Sequence, residues 1–235
     1  MSEITVQIGK HIRAFRKKRH MTLEELSQVI CKSKSTISKY EKGEIPIDIE
    51  TLYELADALQ VHVEQLLYCR PLRTELPGST SSPAFFSGCS QFYSYLFDGR
   101  NNQLIRCVFD VLSEIEDGRF KIMMYMNFKD YEHYQICENT YYGYIEHYDA
   151  LTHIQLTNQD SPMEKASVQI LASYLDSDTK WGLWNGFSSR PMMPIAMKML
   201  FSRTRLTEDA ALAQKLKVSR EDVRLLKLYN MLAVV

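Results

Sequence analysis

The sequence predicts an α+β chain in two parts: a five-helix bundle, then an antiparallel β-rich barrel or sandwich that closes with two helices. Three observations predict it. Apolar residues recur at helical spacing, between good caps, up to about residue 69. Residues 70–90 then lose that periodicity and fill with Pro, Gly and Ser. From Phe92 onward, short aromatic and β-branched runs alternate with turn signals.

The helices come first. Ile8, Ile12 and Phe15 share one face of IGKHIRAFRKKRH. Thr22 is a good N-cap, and Glu25 three residues on completes a capping box. Leu23, Leu26 and Ile30 give that helix its apolar face. Ser33 caps a third helix that runs to about Lys42, where Gly43 supplies the stop. Asp48 starts a fourth, with Leu52, Leu55, Ala56 and Leu59 inward, and Val63 to Leu67 forms a short fifth. The expected domain boundaries are 1–69 for this bundle, 70–90 for a linker and 91–235 for the rest.

The later strands are FYSYLF, QLIRCVFDVLSEI, FKIMMYMNF, TYYGYIEHYD, LTHIQLT, KASVQILASY and KWGLWNGFS. Asp98-Gly99, Asp117-Gly118, Asn158-Gln159-Asp160 and Asp176-Ser177-Asp178 separate several of them. PIAMKMLFSR reads as an eighth strand or a helix. This spacing suits an up-and-down barrel or a sandwich. Thr207–Lys217 and Ser219–Met231 are two amphipathic helices, the second with a Ser219/Asp222 capping box.

Composition narrows the function. The 235 residues carry a net charge of −1, with 45% apolar and 24% charged residues, ordinary values for a globular protein. The charge is unevenly placed. Residues 1–43 hold ten Lys or Arg against four acids, whereas residues 44–70 hold one Arg against six acids. A basic front beside an acidic back suits a module that presents one face to phosphate. Five scattered cysteines with no C-x-x-C pair argue against a disulfide framework or a zinc knuckle. The polar start MSEITVQIGKH is unlike a signal peptide, and no apolar run is long enough to span a bilayer. The expected location is the cytoplasm, with no membrane partner.

The stretch TLEELSQVICKSKSTISKYEKG, Thr22–Gly43, is the most specific signal. It carries T-x-x-E-L at Thr22, Glu25 and Leu26, then S-x-S-T-I-S-x-Y-E-x-G from Ser33 to Gly43. With these motifs, residues 8–67 resemble the Cro/CI-type (XRE) helix-turn-helix family. The resemblance implies a DNA-reading bundle whose third helix enters the major groove. It implies that Lys34, Ser35 and Lys39 reach base edges. Thr36 is placed to pack on a thymine methyl, and Ser38 shares the exposed face. Lys42 and the helix start at Thr22 are expected to hold phosphates. The resemblance also implies a structural ion pair between Arg16 and Glu41. Three residues depart from the family pattern: Leu23 where Gln is common, and Cys31-Lys32 where the turn usually has Gly and an apolar residue.

In the β-rich part, Tyr142, Tyr144, Glu146 and Tyr148 share one strand face by period two, and Trp181 and Trp184 bracket W-G-L-W-N-G. Tyr142, Tyr144, Tyr148, Trp181 and Trp184 are the candidate ligand residues, with cross-strand aromatic packing as the plain alternative. His133, His147 and His153 lack metal-ligand spacing, and no metal or cofactor is expected. No catalytic motif stands out, so the chain is read as a non-enzyme. The whole reads as a homodimeric transcriptional regulator, a repressor on a palindromic operator, governed by a small-molecule effector in its C-terminal part. The alternatives are an antitoxin-like chain that binds a protein or peptide partner, or a self-cleaving repressor.

Overall fold

A computed structural model describes residues 3–67, 85–116, 118–171, 177–189 and 192–234. The chain divides into two compact units, Met1–Leu72 and Arg73–Val235.

The first unit is five helices: α1 (Glu3–Lys18), α2 (Leu23–Val29), α3 (Lys34–Lys42), α4 (Ile49–Leu59) and α5 (Val63–Leu67). The starts of α2, α3 and α4 are capped by the residues the sequence offers. The Glu25 amide donates to Thr22 Oγ1 at 3.1 Å, and the Thr22 amide donates to the Glu25 carboxylate at 2.7 Å. Ser33 and Asp48 accept from Thr36 and Thr51 in the same way. Gly43 ends α3 with φ of 68°, the left-handed geometry that glycine reaches without strain. At the end of α4, Arg19 donates to the carbonyls of Leu59 and Gln60, both at 3.1 Å. Ile12, Phe15, Leu26, Ile37, Leu55, Leu59 and Leu66 form the core.

The second unit is a closed eight-stranded antiparallel barrel in plain up-and-down order. Its strands are β1 (Gln91–Asp98), β2 (Gln103–Glu116), β3 (Arg119–Phe128), β4 (Cys137–His147), β5 (Leu151–Asn158), β6 (Lys165–Leu171), β7 (Thr179–Ser189) and β8 (Met192–Ser202). PIAMKMLFSR is thus strand, not helix. Closure comes from β1 against β8, where Tyr93 faces Ser202 and Tyr95 faces Leu200. No strand edge is left open by this arrangement. Asp117 and Asp176, each in an expected turn, lie outside the described residues, as does most of the expected linker. The end of that stretch is not linker-like: Phe85 and Phe86 are buried in the barrel core. Their aromatic burial outweighs the Ser and Gly that surround them.

The interior is filled by side chains, as a small barrel allows. Phe92 stacks on Phe109 with centroids 4.6 Å apart, and Phe201 tilts against both. Part of the outer face is buried too, which plain alternation does not anticipate. Tyr134, from the β3–β4 connection, donates to the buried Asp110 at 2.9 Å, and Gln91 donates to the same carboxylate at 2.8 Å. Tyr95, also on the outer face, accepts from the Leu206 amide at 2.9 Å and meets the Tyr131 hydroxyl at 3.2 Å. Two helices follow, α6 (Ala210–Leu216) and α7 (Arg220–Tyr229). α6 starts later than the expected Thr207, because Asp209 caps it: its carboxylate accepts from the Leu212 amide at 2.8 Å. Among the described residues, no helix is long and apolar enough to cross a membrane.

One end of the barrel holds His147. Its ring lies 5.0 Å from Phe86 and 5.9 Å from Phe120, and Nδ1 is 3.0 Å from Thr152 Oγ1. Burial pushes the imidazole down to about 4. The folded barrel therefore resists a proton that the unfolded chain accepts near pH 6.5. Stability is full above that pH and falls as pH drops towards 4, by about 3 kcal/mol. Urea unfolding followed by tryptophan emission at pH 7 and pH 4 should show a loss about 3 kcal/mol smaller in His147→Asn than in the natural chain.

Candidate nucleic-acid interface

The candidate interface is built on α3. Its inward residues, Ile37 and Tyr40, lie in the core and hold the helix down. That leaves Lys34, Ser35, Lys39 and Lys42 exposed, with Thr36 and Ser38 half-buried on the same side. The hydroxyls of Ser35 and Thr36 both meet Ser33 Oγ at 2.8 Å. The first turn thus presents a small hydroxyl cluster that can both donate and accept.

Two devices fix how α3 lies on α1. One is Gly9, in the middle of α1. A Cβ there would stand 2.3 Å from the Tyr40 carbonyl oxygen, so the helices approach as closely as they do only because the residue is glycine. The other is the Arg16–Glu41 pair. Arg16 Nε donates to Glu41 Oε1 at 2.5 Å and Nη2 donates to Oε2 at 3.0 Å, a two-pronged contact with both side chains buried. The remaining nitrogen, Nη1, donates to the Met21 carbonyl at 2.8 Å. One guanidinium therefore ties α1 to α3 and to the turn that leads into α2.

The other expected residues are placed less simply. Thr22 spends its amide and its hydroxyl on the Glu25 carboxylate, at 2.7 and 3.0 Å. With Glu24 and Glu25 both in the first turn, the start of α2 carries negative charge where a phosphate was expected. Lys34 is not idle, since its ammonium donates to Glu24 at 2.9 Å. Lys42 lies 3.6 Å from Glu44 in an exposed pair. Leu23, at the position where Gln is common, packs partly against the core. Cys31 takes φ of 51° in the turn between α2 and α3, the geometry usually left to glycine. Gly9 does carry a sequence signal, since a glycine inside a helix gives up about 1 kcal/mol relative to alanine.

The five candidate ligand residues do not converge. Tyr141 and Ile145 of β4 face the barrel core, so Tyr142 and Tyr144 point outward by alternation; both, and Tyr148 just beyond the strand, are exposed. Tyr144 lies under the Arg119 guanidinium at 4.6 Å, and the Tyr148 hydroxyl donates to Glu146 at 3.0 Å. Trp184 is in the core, edge-on to Tyr141 at 5.7 Å. Trp181 is on the opposite face of β7, with the Lys198 ammonium 5.1 Å from its ring centre. A strand whose two faces both carry tyrosine does not reveal by period alone which face is inside. The histidines are separate as well: His133 pairs with Asp130 in a loop at 2.9 Å, His147 is in the barrel end, and His153 is opposite Glu146 on β5.

Removing one partner of the buried pair leaves the other charge in a poor solvent. Glu41→Ala should cost the first unit about 3–5 kcal/mol. Hydrogen exchange at the α3 amides should quicken by more than about a hundredfold. The double change Arg16→Met with Glu41→Leu should cost much less, because no unpaired charge remains. An equal cost in both would mean that shape, not charge pairing, holds α3.

The helix-turn-helix family model matches residues 12–66. No curated protein matches the chain. Among solved structures, the DNA-binding domain of the P22 C2 repressor is 34% identical, covering 28% of this chain and 86% of that one, with a TM-score of 0.26. The clp gene regulator ClgR from Corynebacterium glutamicum is 27% identical, covering 28% and 70%, with a TM-score of 0.28. The restriction-modification controller C.AhdI from Aeromonas hydrophila is 22% identical, covering 26% and 94%, with a TM-score of 0.26. All of these matches fall short of the barrel's share of the chain. The family match and the T-x-x-E-L and S-x-S-T-I-S-x-Y-E-x-G residues make the N-terminal unit a helix-turn-helix domain of the Cro/CI (XRE) family.

Proposed function

We propose that this chain is a DNA-binding transcriptional regulator that acts as a homodimeric repressor, with its hold on DNA set by a small effector bound in the C-terminal unit. The observation that carries the reading is the exposed face of α3, where Lys34, Ser35 and Lys39 stand on a helix locked from behind by Ile37, Tyr40 and the Arg16–Glu41 pair. A rigid helix with short hydroxyls at its first turn and ammonium groups beside them can donate to guanine O6 and N7. Lys42, in the last turn, is placed for phosphate.

One bundle offers little surface, and specific reading generally needs two half-sites about one helical turn apart. Helix α7 supports a dimer. It buries no side chain, and Val223, Leu226 and Tyr229 leave an apolar stripe exposed. Packing that stripe on a second copy joins two readers. An effector that alters the dimer alters half-site spacing, and affinity follows as a population shift.

The binding sites are first selected from random DNA. Lys39→Ala should then cost about 1–3 kcal/mol on the selected sequence and relax preference at one position. Lys42→Ala should weaken all sequences alike and lower the salt slope by about one. A uniform loss from Lys39→Ala would remove it from base reading.

Leu226→Glu should turn the dimer into a monomer in analytical ultracentrifugation and weaken binding to a two-half-site duplex while sparing a single half-site. A dimer that survives this change would take α7 out of the interface.

A further inference from the structure

Beside the barrel wall the second unit has a cleft of about 370 Å³. Phe97 at the end of β1, Met197 in β8, Leu216 at the end of α6 and Leu232 beyond α7 supply apolar walls. The volume lies within the range of small-ligand sites.

Three charged side chains also line the cleft: Lys198, Lys217 and Asp222. Lys198 is the unusual one, because its side chain is only 10% exposed. Its ammonium donates to Asp222 Oδ2 at 2.6 Å and lies 5.1 Å from the Trp181 ring centre. The Lys217 ammonium stands 4.6 Å from the Phe97 ring centre, at the same cleft. Asp222 has a second duty. As the capping-box residue of α7, its Oδ2 also accepts the Ser219 amide at 2.6 Å. The Lys198–Asp222 pair therefore joins the cleft, the barrel wall and the start of α7.

We propose that this cleft binds a small carboxylate with a short apolar body, whose carboxylate takes the Lys198 ammonium from Asp222. This deepens the effector reading above and rests on it. The charge balance selects the ligand class. Two cations against one acid leave a surplus of positive charge for an anion to meet. Exchanging one carboxylate for another keeps the buried ammonium paired throughout, so no unpaired charge is created. A neutral ligand gains only the apolar walls, and a cationic one meets two ammonium groups. The displaced Asp222 keeps the Ser219 amide and the positive end of α7. What the exchange breaks is the tie between α7 and β8.

The test uses the full chain and sodium octanoate or phenylacetate, with 1-octanol and octylamine as uncharged and cationic controls. Trp181 stands against Lys198, so tryptophan emission reports the site, and Trp181→Phe removes that signal. At least one of the two carboxylates should bind saturably and at least tenfold more tightly than octanol or octylamine. Lys198→Met should weaken it at least tenfold. Lys217→Met, which leaves the Lys198–Asp222 pair in place, should weaken it at least threefold and serves where the Lys198 variant does not fold. The proposal is overturned if neither carboxylate saturates, if octanol binds as well, or if Lys217→Met binds like the natural chain. Binding to the selected DNA is measured with and without the bound carboxylate. A change of tenfold or more supports the effector reading as well. Saturable binding that leaves DNA affinity unchanged keeps the site and removes effector control.

Discussion

The buried contact between Arg16 and Glu41 is what the reading face depends on. α3 is only nine residues long, too short to be stable alone, and its outer side is polar. Its direction must therefore be imposed by what lies behind it. Ile37 and Tyr40 supply adhesion, but apolar contacts alone allow a helix to slide or rotate. A two-pronged ion pair does not, because its two hydrogen bonds are met in one orientation. Gly9 makes the geometry possible by letting the α3 backbone come within reach of α1. The two devices therefore depend on each other, since a side chain at position 9 would push Glu41 away from Arg16.

The second unit is organised by closure. Joining β1 to β8 removes the edges and leaves an interior for Phe92, Phe109, Phe201 and Trp184. The outer face then divides. Over β1 to β3 it is covered by Tyr131 and Tyr134 and by the segment around Leu206, which together give Tyr95 and Asp110 their partners. Over β4 it stays in solvent, with Tyr142 and Tyr144 exposed. The chain enters the barrel through Phe85 and Phe86, which seal the end where His147 sits.

The helical unit was legible because its signals are local. Capping boxes, the Gly43 stop and a 3.6-residue apolar period all act within a few residues, and the Thr22–Gly43 pattern runs without gaps. Strand existence was legible for the same reason, through Asp98-Gly99 and its fellow turns. Strand facing was not. β4 carries Tyr141 on one side and Tyr142 and Tyr144 on the other, and only pairing with β3 and β5 decides which is inside. The buried outer layer was hidden because it depends on Tyr134 reaching Asp110, 24 positions away. Lys198 and Asp222 are equally far apart in the chain and share no spacing rule. Such contacts are products of the closed barrel and have no local signature.

Charge on the reading unit looks different once its partners are placed. Ten basic residues in the first 43 suggest a broad phosphate-binding surface. Arg16 is withdrawn into the core, Arg19 caps α4, and Lys34 sits on Glu24. The Lys34–Glu24 pair is exposed, and such pairs are worth only about 0–1 kcal/mol, so a guanine edge can displace it at small cost. In the proposed complex the displaced Glu24, with Glu25 beside it in the first turn of α2, would repel phosphate there. That repulsion opposes loose binding along the backbone at every sequence alike. It is offset only where Lys34 finds a base acceptor. In the proposed complex the acids of α2 therefore act through discrimination: they weaken nonspecific contact more than they weaken contact at a matching site.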